Sequence, residues 1–328
     1  HYHTWVWSDA NGDGDYNWNQ TPQYRDSRAD FFKNLAEGLV EHDMFPVSFR
    51  SGWHFMDNDW QADLDDWLPY ALHNAYPANA AGTPEPVNNI YVWKDAPATW
   101  VPFRPQADNY QLPGGSRGWN TRSKHFRGVT EAMIREIFEA ANSGIDQVPC
   151  IWSHVAEATF IEDLTRVFEI IEKVAADYPH IVYRYDTAVE AMQRWRGTTD
   201  DVPPVLSVTE IPEGDGIRLQ VASDEPLWQA QPFLGVRDAY GDHRRVDMVS
   251  TGEWTWTSTE VFTTRTGGHY AIAATDSAGN QVTWHGRTLP DDLIIDNTDD
   301  GFSTTGSWRK APYTELDPVV GDDAHVAM

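Results

Sequence analysis

The segment VPCIWSH at residues 148–154 is an apolar run that ends in a polar pair. A short apolar run with polar flanks is typical of a buried β-strand. Apolar residues at helical spacing follow it at 159–176. A strand followed by a helix is the repeating unit of α/β folds. We therefore expect an α/β unit in which His154 stands just beyond the carboxyl end of a buried strand.

The same alternation extends over residues 1–196. The patterns predict strands at 1–7, 45–49, 148–152 and 181–185, and helices at 27–40, 61–72, 129–142, 159–176 and 187–195. Such alternation indicates a parallel sheet or barrel. A stretch rich in Pro, Asn, Gly and Trp interrupts it at 74–127. A segment that long without periodicity is either functional or disordered, and its tryptophans argue against disorder.

The composition changes after this region. Residues 197–204 are rich in Gly, Thr, Asp and Pro and read as a linker. Residues 203–286 then show short alternating segments between turn residues, which predicts a β-sandwich. A third unit at 291–328 is too short to close a core alone. We therefore expect three unequal units.

The charge excludes one class of partner. The chain has 50 Asp and Glu against 24 Lys and Arg, a formal net charge of -26. Such a chain repels phosphate backbones, so we expect no nucleic-acid partner. No apolar run approaches the roughly 20 residues that a membrane helix needs, so we expect no membrane span. An acidic surface of this kind suits a secreted protein.

The sequence DANGDGD, which begins at Asp9, matches the calcium-loop pattern of oxygen ligands at positions 1, 3 and 5 and glycine at position 6. Asp9, Asn11 and Asp13 would bind calcium through side chains and Asp15 through its backbone carbonyl. Gln20 stands at position 12, where the pattern has a bidentate glutamate, so the expected affinity is modest. The alternative is a solvated turn without a metal.

Histidine and arginine residues occupy predicted strand ends. His1 and His3 lie two apart on a predicted strand, so both imidazoles point to one face and can reach one metal. Arg50 and His154 each follow a predicted strand. In a parallel barrel the carboxyl ends of the strands converge on the active site. We therefore expect these four side chains to meet.

The order of these motifs resembles that of NodB-type polysaccharide deacetylases, whose fold is a deformed (β/α) barrel. The matching elements within residues 1–196 are His1/His3, the helix from Ser27, Phe49-Arg50-Ser51-Gly52-Trp53 and Trp152-Ser153-His154. The resemblance implies zinc or another divalent transition metal at His1 and His3. It also implies proton donation by His154 and an orienting role for Arg50.

The chain departs from the family pattern in two ways. The family's paired aspartates, one a metal ligand and one the general base, would lie upstream of His1. The family's paired histidines are usually four residues apart, whereas His1 and His3 are two apart and Trp7 stands where a second histidine would be expected. The metal site is therefore either divergent or lost.

The resemblance implies a secreted, periplasmic or cell-surface hydrolase that removes acetyl groups from a polysaccharide. Aromatic faces suit the apolar face of a pyranose, and the candidate substrate-binding residues are Trp53, His54, Trp93 and Trp119. His125 is a further imidazole candidate, and Glu157 would orient His154 if a helical turn begins there. Two alternatives stay open: a non-catalytic carbohydrate-binding protein on a degenerate deacetylase barrel, and a polysaccharide lyase that uses Arg50 and His154.

The two later units carry resemblances of their own. Residues 203–286 resemble a bacterial immunoglobulin-like module, because the strand-like run at 268–276 is followed by the turn Ser277-Ala278-Gly279-Asn280. Residues 291–328 resemble the start of a golvesin-type (xanthan-lyase-associated) carbohydrate-binding module. Its matching residues are Ile295-Asp296-Asn297, Gly301-Phe302 and Gly306-Ser307-Trp308.

Overall fold

The computed structural model describes residues 1–82, 90–263, 265–288, 308–310 and 325–327. Of the described residues 31% lie in strands and 25% in helices, so this part of the protein is mostly β. In these ranges the α-helices are α1 (Arg28–His42), α2 (Asn58–Trp67), α3 (Glu131–Asn142), α4 (Phe160–Ala175) and α5 (Ala188–Arg196). None of them is long and apolar enough to cross a membrane.

The first 196 residues contain one parallel sheet and three small antiparallel pairs. The strands are β1 (Trp5–Ser8), β2 (Asn17–Gln20), β3 (Ser48–Phe49), β4 (Tyr70–Asn74), β5 (Asn79–Ala81), β6 (Ile90–Val92), β7 (Pro105–Gln106), β8 (Asn109–Pro113), β9 (Trp119–His125) and β10 (Cys150–Trp152). The parallel sheet has the order β10-β9-β4-β3. The pairs β1-β2, β5-β6 and β7-β8 are antiparallel hairpins.

The predicted (β/α) barrel is wrong. A barrel needs a hydrogen-bond ladder that continues from each strand to the next until the sheet closes. Within the described residues the parallel sheet has only four strands. Residues 181–187 form no strand, although one was expected at 181–185. The segment 74–127 contributes hairpins as well as the parallel strand β9, and the expected strand at 1–7 begins only at Trp5 and pairs with β2.

Residues 206–287 form two four-stranded antiparallel sheets and contain no α-helix in the part that the structure describes. Their strands are β11 (Leu206–Glu213), β12 (Gly216–Ser223), β13 (Phe233–Arg237), β14 (His243–Val246), β15 (Met248–Gly252), β16 (Thr255–Ser258), β17 (His269–Thr275) and β18 (Gln281–Arg287). One sheet has the order β11-β12-β16-β15 and the other β14-β13-β17-β18. Apolar side chains from both sheets, such as Val221 and Ile272, are buried together in one core cluster.

The second of these sheets shares a core with the first region. Phe233 of β13 is fully buried, and its ring centroid lies 4.7 Å from that of Phe45 and 5.3 Å from that of Trp67. A Cβ atom at Gly235 would lie 3.1 Å from the Cα atom of Ala36, so helix α1 approaches β13 where the strand has no side chain. The side chain of Gln229 donates to the backbone oxygen of Trp67 at 2.9 Å.

Of the third predicted unit, the structure describes two short antiparallel strands, β19 (Trp308–Lys310) and β20 (His325–Ala327). The residues at 295–307 that carry the golvesin-type resemblance lie outside the described residues.

Candidate functional site

The carboxyl ends of the parallel strands meet at one edge of the sheet. Arg50 follows β3, His73 is the last residue but one of β4, and His125 is the last residue of β9. The register pairs Trp152 at the end of β10 with His125, which puts His154 beside the same edge. Parallel pairing therefore brings together imidazoles that are far apart in the chain.

His1 and His3 lie against this edge. Their Nε2 atoms are 3.1 Å apart. Two imidazole nitrogens bound to one tetrahedral zinc, each at 2.0–2.1 Å, would be about 3.3 Å apart, so the pair has the spacing of two ligands. The amide of Gly52 donates to the backbone oxygen of Tyr2 at 2.7 Å and holds this segment in place. A Cβ atom at Gly52 would lie 2.4 Å from the ring of His3, so only glycine allows the contact.

Glu157 connects two further histidines. Its Oε1 atom accepts hydrogen bonds from Nδ1 of His154 at 2.7 Å and from Nε2 of His125 at 2.9 Å. The hydrogen bond from His154, followed by those from His125 and Arg127, lowers the pKa of Glu157 to about 2. The ring centroid of His154 is 5.4 Å from that of His1, so the two groups adjoin. We call His1, His3, His125, His154 and Glu157 the histidine cluster.

Arg50 places a half-buried positive charge beside the cluster. Its Cζ atom lies 3.5 Å from the ring centroid of Trp152, and its Nη1 donates to the backbone oxygen of Ser51 at 3.3 Å. No carboxylate among the described residues is within ion-pair distance of it. Burial lowers the pKa of Arg50 to about 10, which still leaves it protonated at neutral pH. Burial, assisted by the charge of Arg50, also lowers the pKa of His3 to about 4 and keeps that imidazole neutral, as a metal ligand must be.

The turn after Arg50 is strained. Trp53 and His54 have φ angles of 46° and 60°, in the left-handed region that residues other than glycine rarely adopt. Contacts hold them there, since Nδ1 of His54 donates to the backbone oxygen of His73 at 3.3 Å and Trp93 Nε1 donates to the backbone oxygen of His54 at 2.7 Å. The ring of Trp53 lies 5.1 Å from that of His3. The strained turn therefore places the ring of Trp53 beside the histidine cluster.

Two predicted substrate-binding residues lie elsewhere. Trp93 is fully buried in the core and has no face left for a sugar. Trp119 begins β9, six residues before His125, which corresponds to roughly 20 Å along the strand. Its ring lies against Arg104 and Trp195. Of the four predicted residues, Trp53 and His54 are the ones that the structure places at the carboxyl edge of the sheet.

The predicted calcium loop connects β1 to β2. The carboxylate of Asp9 accepts hydrogen bonds from the amides of Gly12, Asp13 and Gly14 at 2.6–3.1 Å, which folds the loop into a tight turn. Gln20 does not join this turn. It lies at the far end of β2, and its Nε2 donates to the backbone oxygen of Ile90 at 3.0 Å.

The described residues contain side-chain groups that could hold a metal ion. One is His125, His154 and Glu157, and another is Asp200, Glu225 and Asp276, each with ligand atoms within 4.8 Å of one another. In the second group, Oδ1 of Asp276 accepts three backbone amides of the following turn. The first group adjoins His1 at the carboxyl edge of the sheet, so the histidine cluster is the better candidate for a catalytic metal.

Comparison of the chain with models of known protein families, with curated proteins and with solved structures found no match. The function is therefore inferred from the site.

Some residues of the site were missed or ranked low from sequence. His125 is a secondary candidate because β9 lies in the stretch without periodicity, and Glu157 is one because its role depends on a turn after His154. His73 is not among the candidates that the sequence offers, and Trp152 is named only as part of the Trp152-Ser153-His154 motif, with no role of its own. The Nδ1 atom of His73 accepts the amide of Ser51 at 3.1 Å and so supports the turn that carries Trp53. The sequence does indicate a position for Trp152 near the site, since this residue ends an apolar run directly before Ser153 and His154.

Proposed function

We propose that this protein is a metal-dependent hydrolase that removes acetyl groups from a polysaccharide. The observation that carries the proposal is the pair of Nε2 atoms of His1 and His3, 3.1 Å apart, beside His154. The Nδ1 atom of His154 donates a hydrogen bond to the carboxylate of Glu157. A carboxylate behind an imidazole fixes its tautomer and orientation, as functional histidines require.

The metal that fits this donor set is zinc, held by His1 and His3. Two neutral imidazoles at tetrahedral spacing suit zinc. When bound, zinc supplies a Lewis acid that makes water more acidic and polarises an acyl carbonyl. Glu157, with its low pKa, stays ionised over the whole physiological range and keeps His154 in one orientation.

Side chains at the cluster supply proton donation to the leaving group and stabilisation of charge. His154 donates a proton to the departing amine or alcohol, and Glu157 stabilises the imidazolium form of that histidine. The side chain of His154 is 43% exposed, so a substrate can reach it. Arg50 is a half-buried cation without a carboxylate partner in the described part of the chain. It stabilises negative charge that develops on the acyl oxygen.

The polymeric substrate is supported by the aromatic residues at the cluster. Trp53 lies beside His3, where an indole face can stack on a pyranose ring. A polysaccharide substrate implies a secreted, periplasmic or cell-surface location.

We also propose that the loop from Asp9 to Asp15 binds Ca²⁺ with modest affinity. Four predicted ligand residues lie in this one turn, and a divalent cation would relieve the repulsion between its carboxylates. Calcium titration by calorimetry tests this. The double variant Asp9→Ala/Asp13→Ala should abolish the heat of binding, and an unchanged titration would contradict the proposal.

The hydrolase proposal is tested by metal analysis and acetate release. The full chain should contain about one zinc per molecule and release acetate from an acetylated polysaccharide. His154→Ala should lose acetate release and keep zinc, since it is assigned as proton donor. The matched control is His180→Ala, an exposed histidine that bonds to Asn142 on α3. No zinc and no acetate from the wild type would contradict the proposal.

A second candidate is a non-catalytic carbohydrate-binding protein. Trp7, where the related pattern has a second histidine, is 57% exposed and is available for binding. Glycan binding without any acetate release would favour this candidate.

A further inference from the structure

The β1–β2 hairpin carries an exposed aromatic face. Trp5 and Trp7 are two apart on β1, and Trp7 is the direct cross-strand partner of Trp18 on β2. Residues in these relations project from the same face of a hairpin. The three side chains are 39%, 57% and 56% exposed, respectively. On the opposite face Asn19 is buried, so the hairpin packs on one side and presents indoles on the other.

This face is continuous with the histidine cluster. The ring of Trp5 lies 4.6 Å from the ring of His3 and 5.3 Å from that of Trp53. Farther along the hairpin, Trp7 and Trp18 contact each other edge to face at 5.5 Å. A row of aromatic rings therefore runs from the cluster outward to the tip of the hairpin.

Exposed indoles at this density mark a binding surface. Soluble proteins rarely leave contiguous apolar patches in water unless a ligand covers them. Rigid aromatic rings also bind at a low entropic cost, because few torsions are lost. The edge-to-face contact leaves indole faces available for a flat ligand.

The negative charge of the neighbouring loop indicates which class of ligand the aromatic face binds. The loop between the two strands carries Asp9, Asp13 and Asp15, and three carboxylates exceed the charge of one bound Ca²⁺, so the tip of the hairpin is negative. Anionic lipid surfaces attract basic segments and repel a tip of this kind. A neutral pyranose chain brings no opposing charge, and its apolar ring faces match the indoles.

We propose that Trp5, Trp7 and Trp18 bind a neutral polysaccharide chain that extends from the histidine cluster along the hairpin. The assignment of the reacting end rests on the proposed hydrolase function, whereas the binding itself does not. The substrate is then a polymer that occupies several consecutive rings, and short saccharides lack most of the contacts.

Binding is measured first, on the His154→Ala chain so that no turnover occurs. The probes are the hexamers of N-acetylglucosamine and of glucose, titrated by calorimetry. Adding Trp7→Ala/Trp18→Ala should weaken binding of at least one hexamer about tenfold or more. The control is Trp254→Ala, an indole 37% exposed near the β15–β16 turn.

Near-ultraviolet circular dichroism checks that each variant is folded. Equal affinity with and without the two indoles, or no binding of either hexamer by the parent, would overturn the proposal.

Activity separates this proposal from the previous one. On a wild-type background, Trp7→Ala/Trp18→Ala should lower the ratio of acetate release from the N-acetylglucosamine hexamer to that from 4-nitrophenyl acetate. If the wild type releases no acetate from any substrate but the indoles still govern hexamer binding, the binding face stands and the hydrolase proposal fails. If acetate release from the hexamer is independent of the indoles, the binding face fails alone. Binding of phosphatidylcholine vesicles that depends on the two indoles would assign the face to membranes and overturn the proposal.

Discussion

Glu157 holds His154 through a 2.7 Å hydrogen bond from Nδ1, and the same Oε1 atom binds His125. One carboxylate oxygen thus fixes two imidazoles of the cluster. The local cause is a turn in which the amide of Glu157 donates to the backbone oxygen of His154 at 3.0 Å. A residue three positions away therefore sets the orientation of the proposed proton donor.

Replacing Glu157 by Gln should lower acetate release about 10- to 100-fold, because an amide neither carries the charge that stabilises the imidazolium nor fixes one tautomer. The pH–rate profile should shift as well, which a purely structural defect would not cause. Glu162→Gln, on the exposed face of the first turn of α4, is the control. Unchanged rate and profile for Glu157→Gln would remove this residue from the mechanism.

Gly52→Ala should displace His3, because the added Cβ would lie 2.4 Å from its ring. We expect reduced zinc content and lost acetate release with little change in the melting temperature. Gly115→Ala is the matched control, since a Cβ there meets nothing within 4 Å. Full zinc content in Gly52→Ala, measured by metal analysis, would show that His3 is not a ligand.

Asp65 makes stability depend on pH. Burial raises its pKa to about 6, above the ordinary value of 3.8, although Gln61 donates to it at 2.8 Å. A raised pKa means that the folded state favours the protonated form. The contribution to stability is therefore complete below about pH 4 and is lost as pH rises through 6, by up to about 3 kcal/mol. Asp65→Asn should flatten this fall between pH 4 and 7 in denaturant unfolding, whereas the exposed Asp108→Asn should retain it.

Phe233→Ala should destabilise the protein by about 3–5 kcal/mol, because it leaves a cavity between β13 and the aromatic side chains of the first region. Since the core is shared, far- and near-ultraviolet signals should report one transition at a lower temperature. Val249→Ala, an exposed position on β15, is the control. Two separate transitions in the wild type would contradict a shared core.

The sequence predicted part of this architecture. The ends of β3 and β10 could be located because each follows an apolar run. Strand β4 was assigned to the end of a helix at 61–72, although Pro69 disfavours helical backbone at the residue before it and marks the break. Strand β9 was missed because its buried residues Asn120, Thr121 and Ser123 are polar and give no apolar alternation.

The fold and the proposed site depend on different features of the sequence. Strand–helix alternation indicates parallel strands, but it does not indicate how many strands pair or whether the sheet closes. The approach of Arg50 to His154 needs only that strand ends share an edge, which four parallel strands already provide. His1 and His3 precede β1, outside the parallel sheet, and are held at the edge by the hydrogen bond from the amide of Gly52 to the backbone oxygen of Tyr2. Glu157 could be expected to orient His154, because it lies three residues further along the chain. The bond from His125 to Glu157 and the contact of Arg50 with Trp152 could not be expected, because they depend on how β9 pairs with β10 and on how the sheet is ordered.

The outer strands of the parallel sheet, β3 and β10, are only two and three residues long. An open sheet normally presents free backbone groups along its flanks, which recruit other chains into aggregates. Strands this brief leave few such groups, so each flank of the sheet offers another chain little to pair with. Lengthening either flank, rather than altering the histidines, would be the change most apt to turn this chain into an insoluble one.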